Sequence, residues 1–118
     1  MTTKTPLELV QFQLDAYNRR DLATFLTAFS NGVQSYRFPD MTLLLDGKAA
    51  FGAFYAANRF VHEELRAELV NRIVVGNTVI DHEMIHGLSP EPVEMAVIFE
   101  VKDGLIEKVF AIPAKTPS

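Results

Sequence analysis

The chain has no cysteine and no tryptophan, no long apolar run and no excess of positive charge, and each absence removes a class of function. Without cysteine there is no disulfide, thiolate zinc site, iron–sulfur cluster or thiol nucleophile. With 11 Lys+Arg against 15 Asp+Glu and a net charge of −4, there is no basic field for a phosphate backbone, so nucleic acid is not an expected partner. Apolar stretches fall far short of the ~20 residues of a membrane helix, and no charged-then-apolar leader opens the sequence. A glycine-rich phosphate loop, a serine elbow and a dinucleotide fingerprint are all missing, and no cofactor is expected. What is present, 118 residues of which 48% are hydrophobic, suffices for one globular domain spanning 1–118, expected to be cytoplasmic and without a membrane partner.

Thr5-Pro6-Leu7-Glu8 reads as a helix start, with Thr5 as cap, Pro6 in the first turn and Glu8 closing a capping box. Leu7, Val10, Leu14 and Tyr17 then make one apolar stripe. Asp21 caps a second helix carrying Leu22, Phe25, Leu26 and Phe29, which Asn31-Gly32 ends. A strand over 33–38 stops at Pro39, and a shorter one follows over 42–45. Helical spacing returns over 48–60, where Gly52 costs ~1 kcal/mol against alanine and so implies a close neighbour or a bend. Period-two alternation and turn residues then predict four antiparallel strands, 65–75, 78–87, 93–101 and 105–112, with 113–118 a short tail. The order implies an α+β domain: a curved antiparallel sheet packed with three helices, a cone whose apolar interior is the natural pocket.

Three stretches carry a family resemblance. Val10-Gln11-x-x-Leu14-x-Ala16-Tyr17-Asn18-x-x-Asp21-Leu22, followed by Phe29-Ser30-Asn31-Gly32-Val33, resembles the opening of nuclear-transport-factor-2-like domains. Asp46-Gly47-Lys48-Ala49-Ala50 leading to Phe54-Tyr55 looks like their third helix. Asn71-Arg72-Ile73-Val74-Val75-Gly76-Asn77, then Val79-Ile80-Asp81-His82-Glu83, and the hairpin Asp103-Gly104-Leu105-Ile106 look like the SnoaL-like branch, often labelled steroid Δ-isomerase-like. Ketosteroid isomerases of that family use a first-helix tyrosine and a protonated aspartate as oxyanion donors and a second aspartate as base. Those positions fall here on Gln13, Val97 and Arg37, and only a supporting tyrosine, Tyr55, is kept. The resemblance therefore implies the fold and not the isomerase activity, because this fold serves many chemistries and also non-catalytic binding.

The candidate residues follow from the cavity this fold implies. The resemblance turns Ile80, His82, Met84 and His86 toward the interior, making His82 the expected base; a neutral histidine held for packing is the other reading. His86 stands ~13 Å from His82 along a strand, too far to share a metal ion, and belongs to the rim; no metal is expected. Asp81 and Glu83, ~7 Å apart on the opposite face, read as ion-pair or dimer-interface groups with Arg66 and Arg72 as partners. Tyr17, Tyr55 and Gln13 can orient a ligand carbonyl, and Asp40 is a substitute base. Arg37 favours an anionic ligand group or a salt bridge with Asp40. Phe38, Phe54, Val97 and Phe99 complete an apolar lining. The expected activity is cofactor-independent proton transfer on a small hydrophobic carbonyl compound, in a homodimer; the alternatives are a non-catalytic ligand-binding or dimerisation domain and a protein-interaction module.

Overall fold

The computed structural model describes residues 3–114. The capping box forms: the Glu8 N–H donates to the Thr5 hydroxyl at 3.1 Å and the Thr5 N–H to the Glu8 carboxylate at 2.9 Å. It starts α1 (Pro6–Asn18), which buries Leu9, Val10, Gln13, Leu14, Ala16 and Tyr17. Asp21 accepts from the Thr24 N–H and starts α2 (Leu22–Leu26). This helix is shorter than its apolar spacing predicts, and Phe29 instead opens β1 (Phe29–Arg37). Long-range contacts decide it. Phe29 packs 4.9 Å from Phe25 and 4.6 Å from Phe51 between ring centroids, and it pairs with Ile106 across the sheet.

β2 (Thr42–Asp46) turns into α3 (Lys48–Asn58) at Gly47. Gly52 has the close neighbour its place in a helix required, since a Cβ there would stand 3.0 Å from Leu26 Cδ1. The meander follows as β3 (Arg66–Val75), β4 (Thr78–His86), β5 (Val93–Lys102) and β6 (Leu105–Pro113). The sheet is nevertheless mixed, because β1 lies parallel to β6, giving the order β2-β1-β6-β5-β4-β3 with two open edges. Turn residues announce hairpins between sequence neighbours, whereas the β1–β6 pairing joins distant segments and leaves no local signal. Pro113 pairs with Met95 and belongs to β6; residues 115–118 of the expected tail lie outside the described residues. Among the described residues no helix is long and apolar enough to cross a membrane.

The faces of β4 are the reverse of the expectation. Val79, Asp81, Glu83 and Ile85 are buried, while Ile80, His82, Met84 and His86 lie half-buried on the outer face. Both alternating sets contain large apolar residues, so β4 alone does not choose between them. Its neighbours do: the inward Val97 and Phe99 of β5 pair with Asp81 and Val79. A bulge between Leu69 and Asn71 of β3 then brings Arg72 to the same inner face as Ala67 and Leu69, beside Asp81. His82 therefore pairs with Glu94 (Nε2 to Oε2 2.7 Å) and His86 with Glu68 (Nε2 to Oε1 2.9 Å), both on the outer surface.

Candidate active site

Helices and sheet enclose a cavity of about 290 Å³. α1 contributes Gln13, Leu14 and Tyr17; β1 and β2 contribute Ser35, Leu44 and Leu45; α3 contributes Phe51, Phe54 and Tyr55, with Arg59 just past its end. The sheet floor carries Ala67, Glu83, Ile85, Met95, Val97 and Phe99. Of the residues named from sequence, Gln13, Tyr17, Tyr55, Phe54, Val97 and Phe99 line this space. Six others do not. His82, Met84 and His86 are on the far face of β4. Phe38 is exposed beyond the end of β1. Arg37 and Asp40 close an exposed turn, Arg37 Nη2 donating to Asp40 at 2.7 Å and Thr42 Oγ1 at 2.9 Å. Those bonds hold the Asp40 carboxyl down at about 2, so it is neither in the cavity nor suited to take a proton. The salt bridge expected of Arg37 and Asp40 is the one that forms.

Three polar groups of the cavity are not among the residues expected to line it: Arg59 and Ser35, and Glu83, which was expected on the outer face as an ion-pair or dimer-interface group. Glu83 is 6% exposed, and no described residue donates a hydrogen bond to its carboxylate. Burial pushes its pKa up to about 7; the charge of Asp81 adds to the rise, and Arg72 and Arg59 oppose it. Asp81 is completely buried and answered by a two-pronged bond, Arg72 Nε at 2.6 Å and Nη2 at 2.9 Å, while Arg72 Nη1 reaches Gln11 Oε1 at 2.8 Å. Arg59 Nη1 donates to the Tyr17 hydroxyl at 3.0 Å, and its guanidinium carbon lies 5.9 Å from the Phe54 ring centroid and 5.7 Å from that of Tyr55. Burial raises the Tyr17 pKa against the opposing charge of Arg59, and burial lifts Tyr55 to about 12, so both hydroxyls keep their protons at neutral pH. One sequence signal for Arg59 exists: Phe51, Tyr55 and Arg59 repeat at four-residue steps along the α3 face that packs inward.

The raised Glu83 pKa links stability to pH. Between the ordinary 4.5 and about 7 the folded state binds more protons than the unfolded chain. Unfolding free energy contributed by this group therefore falls as pH rises through that window, by roughly 3 kcal/mol, and is flat above it. Glu83→Gln removes this dependence. Its stability minus that of the wild type, from urea unfolding, is expected to climb between pH 4.5 and 7, whereas two parallel curves would contradict the burial of an ionisable acid.

The SnoaL-like domain profile matches residues 10–109. No curated protein matches the chain. Among solved structures, an uncharacterised cystatin-fold protein from Novosphingobium aromaticivorans is similar at 20% identity and TM-score 0.81, over 92% of this chain and 98% of that one. A candidate ketosteroid isomerase from Kribbella flavida is similar at 18% identity and TM-score 0.76, over 93% of this chain and 78% of that one. A candidate polyketide cyclase from Sinorhizobium meliloti is similar at 20% identity and TM-score 0.74, over 87% of this chain and 92% of that one. At such identities the likeness is one of fold, and it agrees with the architecture of three helices against a curved, open six-stranded sheet. The chain belongs to the SnoaL-like domain family, within the nuclear-transport-factor-2-like superfamily.

Proposed function

We propose that this domain catalyses cofactor-independent proton transfer on a small hydrophobic carbonyl compound, with Glu83 in the role the sequence suggested for His82. The observation that carries the reading is a buried carboxylate without a hydrogen-bond donor in the wall of an apolar cavity. A base desolvated in this way exchanges protons near neutral pH and accepts one readily from carbon, because no donor has to be released first. Glu83 removes a hydrogen from the carbon next to the carbonyl; the C–H electron pair becomes the C=C bond of an enolate, and the negative charge moves to the carbonyl oxygen. The Tyr17 hydroxyl accepts from Arg59 and donates to no described group, so its hydrogen is available to that oxygen. The positive charge of Arg59 behind it strengthens the donation as the oxyanion forms. The carboxylic acid of Glu83 then returns the proton to carbon, at the same or a neighbouring position. Gln13, which spends an N–H on the Val10 carbonyl at 3.0 Å, and Tyr55 shape the space around the reacting atoms.

Two fold neighbours bear the names candidate ketosteroid isomerase and candidate polyketide cyclase, and an isomerase acting on ketones is compatible with this class of reaction. The test is hydrogen loss next to the carbonyl, followed by NMR in deuterated buffer. Its probes are apolar ketones, including 2-tetralone and ketones bearing a carboxylate. Exchange accelerated by the wild type and lost in Glu83→Gln is the expected result. No acceleration of any ketone would favour the non-catalytic binding domain instead.

A further inference from the structure

We infer that the molecule this cavity takes carries an anionic group, a carboxylate, which Arg59 receives; the inference rests on the cavity being the ligand site and names the chemistry of its ligand. The guanidinium of Arg59 has five N–H donors. One is committed to the Tyr17 hydroxyl at 3.0 Å, and the guanidinium carbon lies near the ring centroids of Phe54 (5.9 Å) and Tyr55 (5.7 Å). No described carboxylate pairs with it: the ion pairs of the described residues are Arg37–Asp40, Arg72–Asp81, His82–Glu94 and His86–Glu68. Glu83, the acid in the same cavity wall, lies beyond the 4.0 Å of an ion pair. Glu83 attracts Arg59 through space without bonding it, so this partly buried guanidinium keeps donors that a carboxylate arriving with a ligand can take.

The contrast with Arg72 makes the point within one molecule. That side chain is also enclosed, only 10% exposed, and all three of its nitrogens are answered, by both oxygens of Asp81 and by Gln11. Arg59 lies beside two aromatic rings instead, and beyond the Tyr17 hydroxyl its guanidinium N–H groups have no described partner in a cavity lined mostly by apolar side chains. A planar carboxylate matches that fork with two parallel hydrogen bonds, while the apolar body of the molecule fills the space over Val97 and Phe99. With Glu83 as base, the substrate is then an apolar keto acid, fixed at its carboxylate by Arg59.

Calorimetry with 2-naphthoate and its neutral isostere 2-naphthamide, at about pH 7.5 where the probe's carboxyl is ionised, tests the inference. The wild type is expected to bind the carboxylate roughly tenfold or more tightly than the amide. Arg59→Met, which keeps an apolar stem against Phe54 and Tyr55, is expected to erase that preference, and Arg59→Lys to retain part of it. Equal or tighter binding of the amide, a preference that survives in Arg59→Met, or no binding of either probe to the wild type would each overturn the inference. If Arg59→Met fails to fold, the wild-type ratio and the Lys variant still decide. Glu83→Gln separates this inference from the catalytic reading. Loss of the carboxylate preference with Glu83-dependent proton exchange intact would sink the anion site alone, and the converse would sink only the catalysis.

Discussion

Arg72→Met is expected to cost the fold about 3–5 kcal/mol, the range for removing one partner of a buried ion pair. Asp81 is completely buried, and the Arg72 side chain is only 10% exposed, so water cannot take over the lost bonds. Methionine preserves most of the stem's packing. What remains is a carboxylate in the core without its two donors at 2.6 and 2.9 Å. Changing Asp81→Asn in the same chain should recover much of the loss, because the stranded charge, and not the missing contact, dominates it. The variant also bears on the cavity: Arg72 opposes the rise in the Glu83 pKa, so Glu83 should titrate still higher without it. Urea unfolding at neutral pH measures the effect, and a loss below about 1 kcal/mol would show the pair to be merely superficial.

Glu83→Gln is expected to slow carbon proton exchange by about 10²–10⁴-fold, the contribution of a positioned general base. The replacement keeps the shape of the side chain and removes its ability to hold a proton, so ligand binding should persist while turnover falls. Because the base works ionised, kcat/KM in the wild type should rise with pH through about 7, the value to which burial pushes Glu83. The activity limb and the stability curve run in opposite directions for one reason. Ionising Glu83 creates the base and at the same time loses the stabilisation of its protonated form. A rate unchanged in Glu83→Gln, for a ketone the wild type turns over, would remove the base assignment.

Much of the fold was legible because its signals are local. The Thr5–Glu8 capping box, the Asp21 cap, the Asp103-Gly104 turn and the helical spacing through Phe51, Phe54 and Tyr55 each act within a few residues. The failures share a different cause. Phe29 left its helix for a strand because Phe25, Phe51 and Ile106 surround it. The parallel β1–β6 pairing and the bulge at β3 are likewise set by distant partners. The site suffered most from this, since one question of face on β4 decides between His82 and Glu83. Alternation supplies two sets and says nothing of which is inside, and residue type misled, because acids are usually kept out of cores. Arg72, placed inward by a bulge, is what makes two inward acids tolerable on this strand.

The most direct measurement is the titration of Glu83 itself, by ¹³C NMR of glutamate side-chain carboxyls with Glu83→Gln identifying the resonance. A midpoint near 7 is expected, from a carboxylate enclosed with Asp81 nearby and no hydrogen bond of its own. A midpoint at or below the ordinary 4.5 would mean that Glu83 is solvated or paired, and the cavity would then lack the base on which its proposed chemistry depends.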